Sequence, residues 1–104
     1  MNEIIEREEI IIENMIYEIR GKQVMLDSDL ARLYQCKNGT KDINKAVKRN
    51  IERFPEDFYF QLTEEEYGNL RFQLGTPNLK ESGGRRYNPY VFTEQGVAML
   101  INMH

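Results

Sequence analysis

The sequence has 104 residues, 40% hydrophobic and 30% charged, with 14 Lys+Arg against 17 Asp+Glu and a net charge of -3. This is the length of one domain, of ordinary globular composition, able to bury a modest core. It excludes a membrane-spanning helix within these residues for want of a long apolar run, and an internal disulfide because Cys36 is the one cysteine, which fits a reducing cytoplasm; the acidic MNEIIEREEI does not suggest secretion.

Residues 1–14 read as an acidic, apolar arm, and 15–104 as the domain proper. The arm joins Ile4, Ile5, Ile11 and Ile12 to many glutamates, and residues 2–13 fit a short helix of imperfect period. Met15 to Leu26, MIYEIRGKQVML, predicts a β-hairpin turning at Arg20-Gly21-Lys22. Asp27-Ser28 offers an N-cap for a helix carrying Leu30, Ala31, Leu33 and Tyr34. Lys37-Asn38-Gly39 breaks that helix. Thr40 is the expected cap of a second helix, from Lys41 to Arg53, which Pro55 stops.

DFYFQL alternates Phe58, Phe60 and Leu62 with Tyr59 and Gln61, the pattern of a half-buried strand. Thr63-Glu64-Glu65-Glu66 is a capping box opening a third helix with Tyr67 and Leu70. Gly75 to Pro89 is loop-like, with three of the seven glycines and two of the three prolines. Tyr90-Val91-Phe92 reads as a short strand. Thr93 caps a last helix, in which Val97, Met99, Leu100 and Met103 face the core. The fold class expected is α+β: a small single domain with an N-terminal β-hairpin, two further short strands and three to four helices. DLARLY and the helix after it form a helix-turn-helix-like pair.

The charge is not evenly spread. Lys37 to Arg53 holds six basic and two acidic residues, in a chain that is acidic overall. At about 100° per residue, Ile43, Ala46, Val47 and Ile51 share one side of the second helix. Lys41, Lys45 and Lys48 fall opposite, within an arc of roughly 60°, flanked by Asn44 and Arg49. Lysines at such positions neutralise phosphates. Arginine can pair with guanine edges and asparagine with adenine. The same stripe is also what a merely solvated surface helix carries. Lys80, Arg85 and Arg86 add charge to a glycine-containing loop, which reads as an auxiliary arm or as solvated charge.

Other chemistry has little to work with. The one histidine is His104, so no His-dependent triad or His-rich metal site is available. No enzyme activity and no cofactor are expected. Cys36 reads as a small, partly buried apolar residue.

Three ordered motifs, IRGKQVMLDSDLARLY (19–34), VKRNIERFPEDFYFQLTEEE (47–66) and GGRRYNPYVFTEQGVAML (83–100), resemble the N-terminal DNA-binding domain of the KilA-N/Bro-N group. The specific likeness is to its phage open-reading-frame-six N-terminal branch. The resemblance implies a DNA-binding module of phages and prophages, often joined to an antirepressor or other regulatory domain. On that pattern the chain reads as a bare domain or a piece of a longer protein. The expectation is a cytoplasmic, non-catalytic domain for double-stranded DNA, acting in gene regulation. Lys41, Lys45 and Lys48 would hold phosphates, Asn44 and Arg49 would read bases, and Arg85 and Arg86 would assist. The rival reading is a protein-interaction module that binds a repressor or self-associates. The arm fits a homodimer or a regulatory protein partner, and no membrane.

Overall fold

The structure, a computed structural model, describes residues 13–75 and 88–103. Arg85, Arg86, Lys80 and most of the expected arm lie outside the described residues.

The hairpin forms where the sequence places it. β1 (Ile16–Ile19) and β2 (Lys22–Leu26) pair antiparallel, closed by Ile19 opposite Lys22. The two residues between, Arg20 and Gly21, both have positive φ, 56° and 72°. That is the backbone of a tight hairpin turn whose twist matches the strands. Next come α1 (Asp27–Leu33) and α2 (Thr40–Arg49), then β3 (Tyr59–Gln61), α3 (Glu64–Gln73), β4 (Tyr90–Thr93) and α4 (Glu94–Asn102). The sheet order is β1-β2-β4-β3, and every neighbour is antiparallel.

Side chains alternate across a strand, so β2 and β4 feed two cores. Met25 and Phe92 join Leu30, Ala31, Ile43, Val47, Phe54 and Leu100 on the face covered by α1, α2 and α4. Val24 and Val91 join Phe60, Leu62 and Leu70 on the face covered by α3. Each buried Leu, Val or Phe side chain contributes roughly 1.5–3 kcal/mol. Gly96 makes the close approach of α4 to the sheet possible. A Cβ there would meet the Phe58 carbonyl oxygen at 1.9 Å. Thr93 fixes the same joint: its hydroxyl donates to the Asp57 carbonyl at 2.7 Å and accepts from the Gly96 amide at 3.4 Å.

Four expectations need correction. First, the basic helix ends at Arg49, not Arg53. Asn50 leaves the helical region (φ -130°, ψ 36°), and Ile51–Arg53 form a 3-10 turn. The break carries Phe54 into the core, where it meets Tyr59 and Phe92 edge-on at 5.9 and 6.1 Å. Second, Ile51 is therefore half exposed, at 50%, and is not on the buried side. Third, Thr40 is the first residue of α2 and caps nothing. Gly39 precedes it with φ 61° and ψ -136°, a conformation essentially reserved for glycine. Fourth, Asp27 and Ser28 do not cap α1, which starts directly after Leu26. The caps at Thr63, with its reciprocal Glu66 bond, and at Thr93 form as expected.

The end of α1 explains Cys36. Gln35 takes a left-handed φ of 52°. The Cys36 amide then donates to the Ala31 carbonyl at 2.9 Å, and the Gln35 amide to that of Arg32 at 3.1 Å. This is the double bond of a Schellman ending, whose apolar residue packs back on the helix. Cys36 packs against the core, and burial pushes its thiol pKa upward. No helix among the described residues is long and apolar enough to cross a membrane.

Candidate nucleic-acid interface

α2 is positioned through its inner face and its two ends. Ile43 and Val47 are buried against α1 and the sheet. The connection from α1 holds Asn38-Gly39, as the turn signal predicts. Asp42 faces back along it, accepting from the Asn38 amide and from Asn38 Nδ2, both at 3.2 Å. Those two bonds, with Lys45 nearby, hold the Asp42 carboxyl below its usual range. At the other end Asn50 Nδ2 donates to the Ala46 carbonyl at 3.1 Å.

A further anchor was not readable from the sequence. Asp27 is completely buried, at 0% exposure. Its carboxylate accepts from the Ser28 amide at 2.8 Å, from the Tyr90 amide at 3.3 Å and from Asn44 Nδ2 at 3.4 Å. One side chain thus ties together the start of α1, the start of β4 and the middle of α2. A buried carboxyl group left without such partners would be costly.

The expected site residues divide accordingly. Lys41, Lys45, Lys48 and Arg49 are all exposed on the outer side of α2. Asn44 does not point out with them. It is half-buried, committed to Asp27, and its Oδ1 is buried without a donor. The wheel puts Asn44 only about 60° from Val47, and the Asp27 carboxylate draws it inward. It is an anchor of the helix rather than a free reader of bases.

The cations on α2 differ from the others in one respect. Arg20 pairs with Glu66, Lys22 with Asp57 and Arg32 with Asp29. Arg71 lies over the Tyr67 ring. Among the described residues, no ion pair is made by Lys37, Lys41, Lys45, Lys48, Arg49 or Arg53, all in one stretch. Lys41 to Lys48 spans about 10 Å along the axis. Successive phosphates of one DNA strand advance by about 3.4 Å along the duplex. A helix of about 10–12 Å diameter also matches a major groove about 12 Å wide. The arrangement can therefore meet several phosphates along one backbone, with Arg49 about 40° from Lys45 on the other edge of the stripe.

The family model of the ORF6N domain matches residues 14–103. No curated protein and no solved structure matches the chain.

Proposed function

Since the chain belongs to the ORF6N domain family, a phage-type branch of the KilA-N/Bro-N group, we propose that it is a non-catalytic domain that binds double-stranded DNA through the outer stripe of α2 in phage or prophage gene regulation. The observation that carries this reading is the run of cations that make no ion pair among the described residues. Three other described cations are ion-paired, whereas Lys41, Lys45, Lys48 and Arg49 stay exposed on one helix face and make no ion pair among the described residues. Unpaired cations at helical spacing repel one another and do little for stability. They are suited to an external polyanion.

In this reading Lys41, Lys45 and Lys48 hold phosphates and Arg49 reads a base edge. Asn44 acts from behind, keeping α2 at a fixed angle through Asp27. The overall charge of -3 does not oppose this, because charges more than about 8–10 Å away are screened in physiological salt. The test is a titration of random duplex DNA at several salt concentrations. The logarithm of affinity should fall with the logarithm of salt with a slope near -3 to -4, about one unit per neutralised phosphate. A flat dependence, or no binding at low salt, would rule the reading out.

A further inference from the structure

α1 and the start of α2 flank an open cleft of about 530 Å³. Ser28 and Arg32, one turn apart on α1, line it. So do Gln35, in the Schellman ending, and Gly39-Thr40, at the head of α2.

The lining is chemically one-sided. The Arg32 side chain is 73% exposed and gives one bond to Asp29. A guanidinium has five donors in a fork, so others remain for a ligand. Asp29 is 4% exposed and does not line the cleft. The Ser28 and Thr40 hydroxyls and the Gln35 side-chain amide make no hydrogen bond to a described residue. Two other clefts also hold a cation, but each with two carboxylates. Lys22 stands with Asp57 and Glu94 in one, and Arg20 with Glu18 and Glu66 in the other. The α1–α2 cleft offers a cation and three neutral donors, with no carboxylate in its lining. That donor set suits an oxyanion.

Its position says which oxyanion. Lys48, Lys45 and Lys41 run along α2 towards its first turn, and Thr40, next to Lys41, is already in the cleft. From Lys48 to Thr40 is about 12 Å along the axis, between three and four phosphate steps of a DNA strand. A strand that follows the stripe is carried over the cleft and meets α1.

We propose that this cleft is a further phosphate subsite for the same DNA strand, in which Arg32 and Gln35 donate to a phosphodiester with the Ser28 and Thr40 hydroxyls beside it. The inference rests on the DNA reading of α2 and deepens it. Two elements then grip one backbone, which fixes the register of the duplex on the protein. Because Asp29 already balances Arg32, the subsite adds hydrogen bonds with little net charge.

Two variants of equal net charge test it on random duplex DNA. Gln35→Glu turns a carboxylate to the cleft and should weaken binding about tenfold or more. Gln73→Glu, on α3 over the opposite face of the sheet, should bind like the parent. Both glutamines are exposed, so both variants should melt close to the parent. Gln35→Ala supplies a readout that a general charge effect does not move. Affinity should fall about threefold with an unchanged salt slope, since the donor lost is neutral. Equal weakening by the two glutamate variants would reveal only a long-range field, and parental binding by Gln35→Glu would leave the cleft without a phosphate; either overturns the proposal. A shallower slope in Gln35→Ala would overturn it too. A parent protein that binds no DNA would instead sink the reading of α2, and this subsite with it.

Discussion

α2 and α3 are both ten residues long and cover opposite faces of one sheet, yet they are held in place by opposite means. α3 is fixed at its first turn. Thr63 and Glu66 exchange bonds at 3.1 and 2.9 Å. Glu66 also takes the Arg20 guanidinium at 2.7 and 3.0 Å, which ties α3 to the hairpin turn. α2 has no side-chain cap. It is fixed from behind, by Ile43, Val47 and the Asn44–Asp27 bond. In α3, Glu66 is committed to the cap and to the hairpin turn; in α2, Asp42 is committed to Asn38, while Lys41, Lys45, Lys48 and Arg49 stay exposed with no ion pair among the described residues.

The comparison breaks most visibly at the back of α2. Val47→Asp places a charge among Ile43, Phe54 and Phe92 with nothing to pair it. It should cost about 4 kcal/mol or more and leave little folded protein. Lys45→Asp, on the front of the same helix, should stay within about 0.5 kcal/mol of the parent. Urea unfolding of both variants checks the difference. Equal midpoints would mean that the two faces are wrongly assigned.

The caps give a smaller contrast. Thr63→Ala should cost roughly 1 kcal/mol, because it removes a bonded N-cap. Thr40→Ala should cost a few tenths at most, because Thr40 caps nothing. Thermal melts of the pair decide this, and equal losses would return Thr40 to the role that its residue type suggests.

The smallest effect is a pH dependence. The Arg20 guanidinium, with the Thr63 amide, holds Glu66 at a pKa of about 2, against an ordinary value of 4.5. A depressed carboxylate pKa adds stability that is complete above the unfolded value and disappears as pH falls through the folded one. Arg20 is partly exposed, so the pair is worth about 1 kcal/mol at most. Arg20→Gln should lose that amount at pH 6, and the gap to the parent should close between about pH 4.5 and 2. A gap that stays constant over that window would show that the pair contributes packing, including Arg20 over the Phe60 ring, rather than charge.

What could be read from the sequence was what is decided locally. The hairpin turn, the Asn38-Gly39 break, the Thr63 box and the Thr93 cap each depend on neighbours within a few residues, and each forms. The cation stripe was readable for the same reason, since a helix wheel needs only spacing. The errors arose where distant residues decide. α2 stops at Arg49 because Phe54 is drawn into a core shared with Tyr59 and Phe92, which follow later in the chain. Asn44 turns inward because Asp27, 17 residues before it, is buried and needs donors. Thr40 loses its cap role to the backbone of Gly39, a choice between two adequate residue types that composition does not settle. Arg85 and Arg86 lie outside the described residues.

The central claim is that the front of α2 is kept unpaired for DNA, and one measurement addresses it most directly. Lys41, Lys45 and Lys48 are replaced together by alanine, and affinity for random duplex DNA is measured across a range of salt. Because all three side chains are exposed and form no ion pairs among the described residues, the variant should melt close to the parent. Binding should weaken on every sequence alike, and the salt slope should become shallower by about three units, one for each phosphate no longer neutralised. Parental affinity with an unchanged slope would contradict the account and leave the stripe as solvated charge.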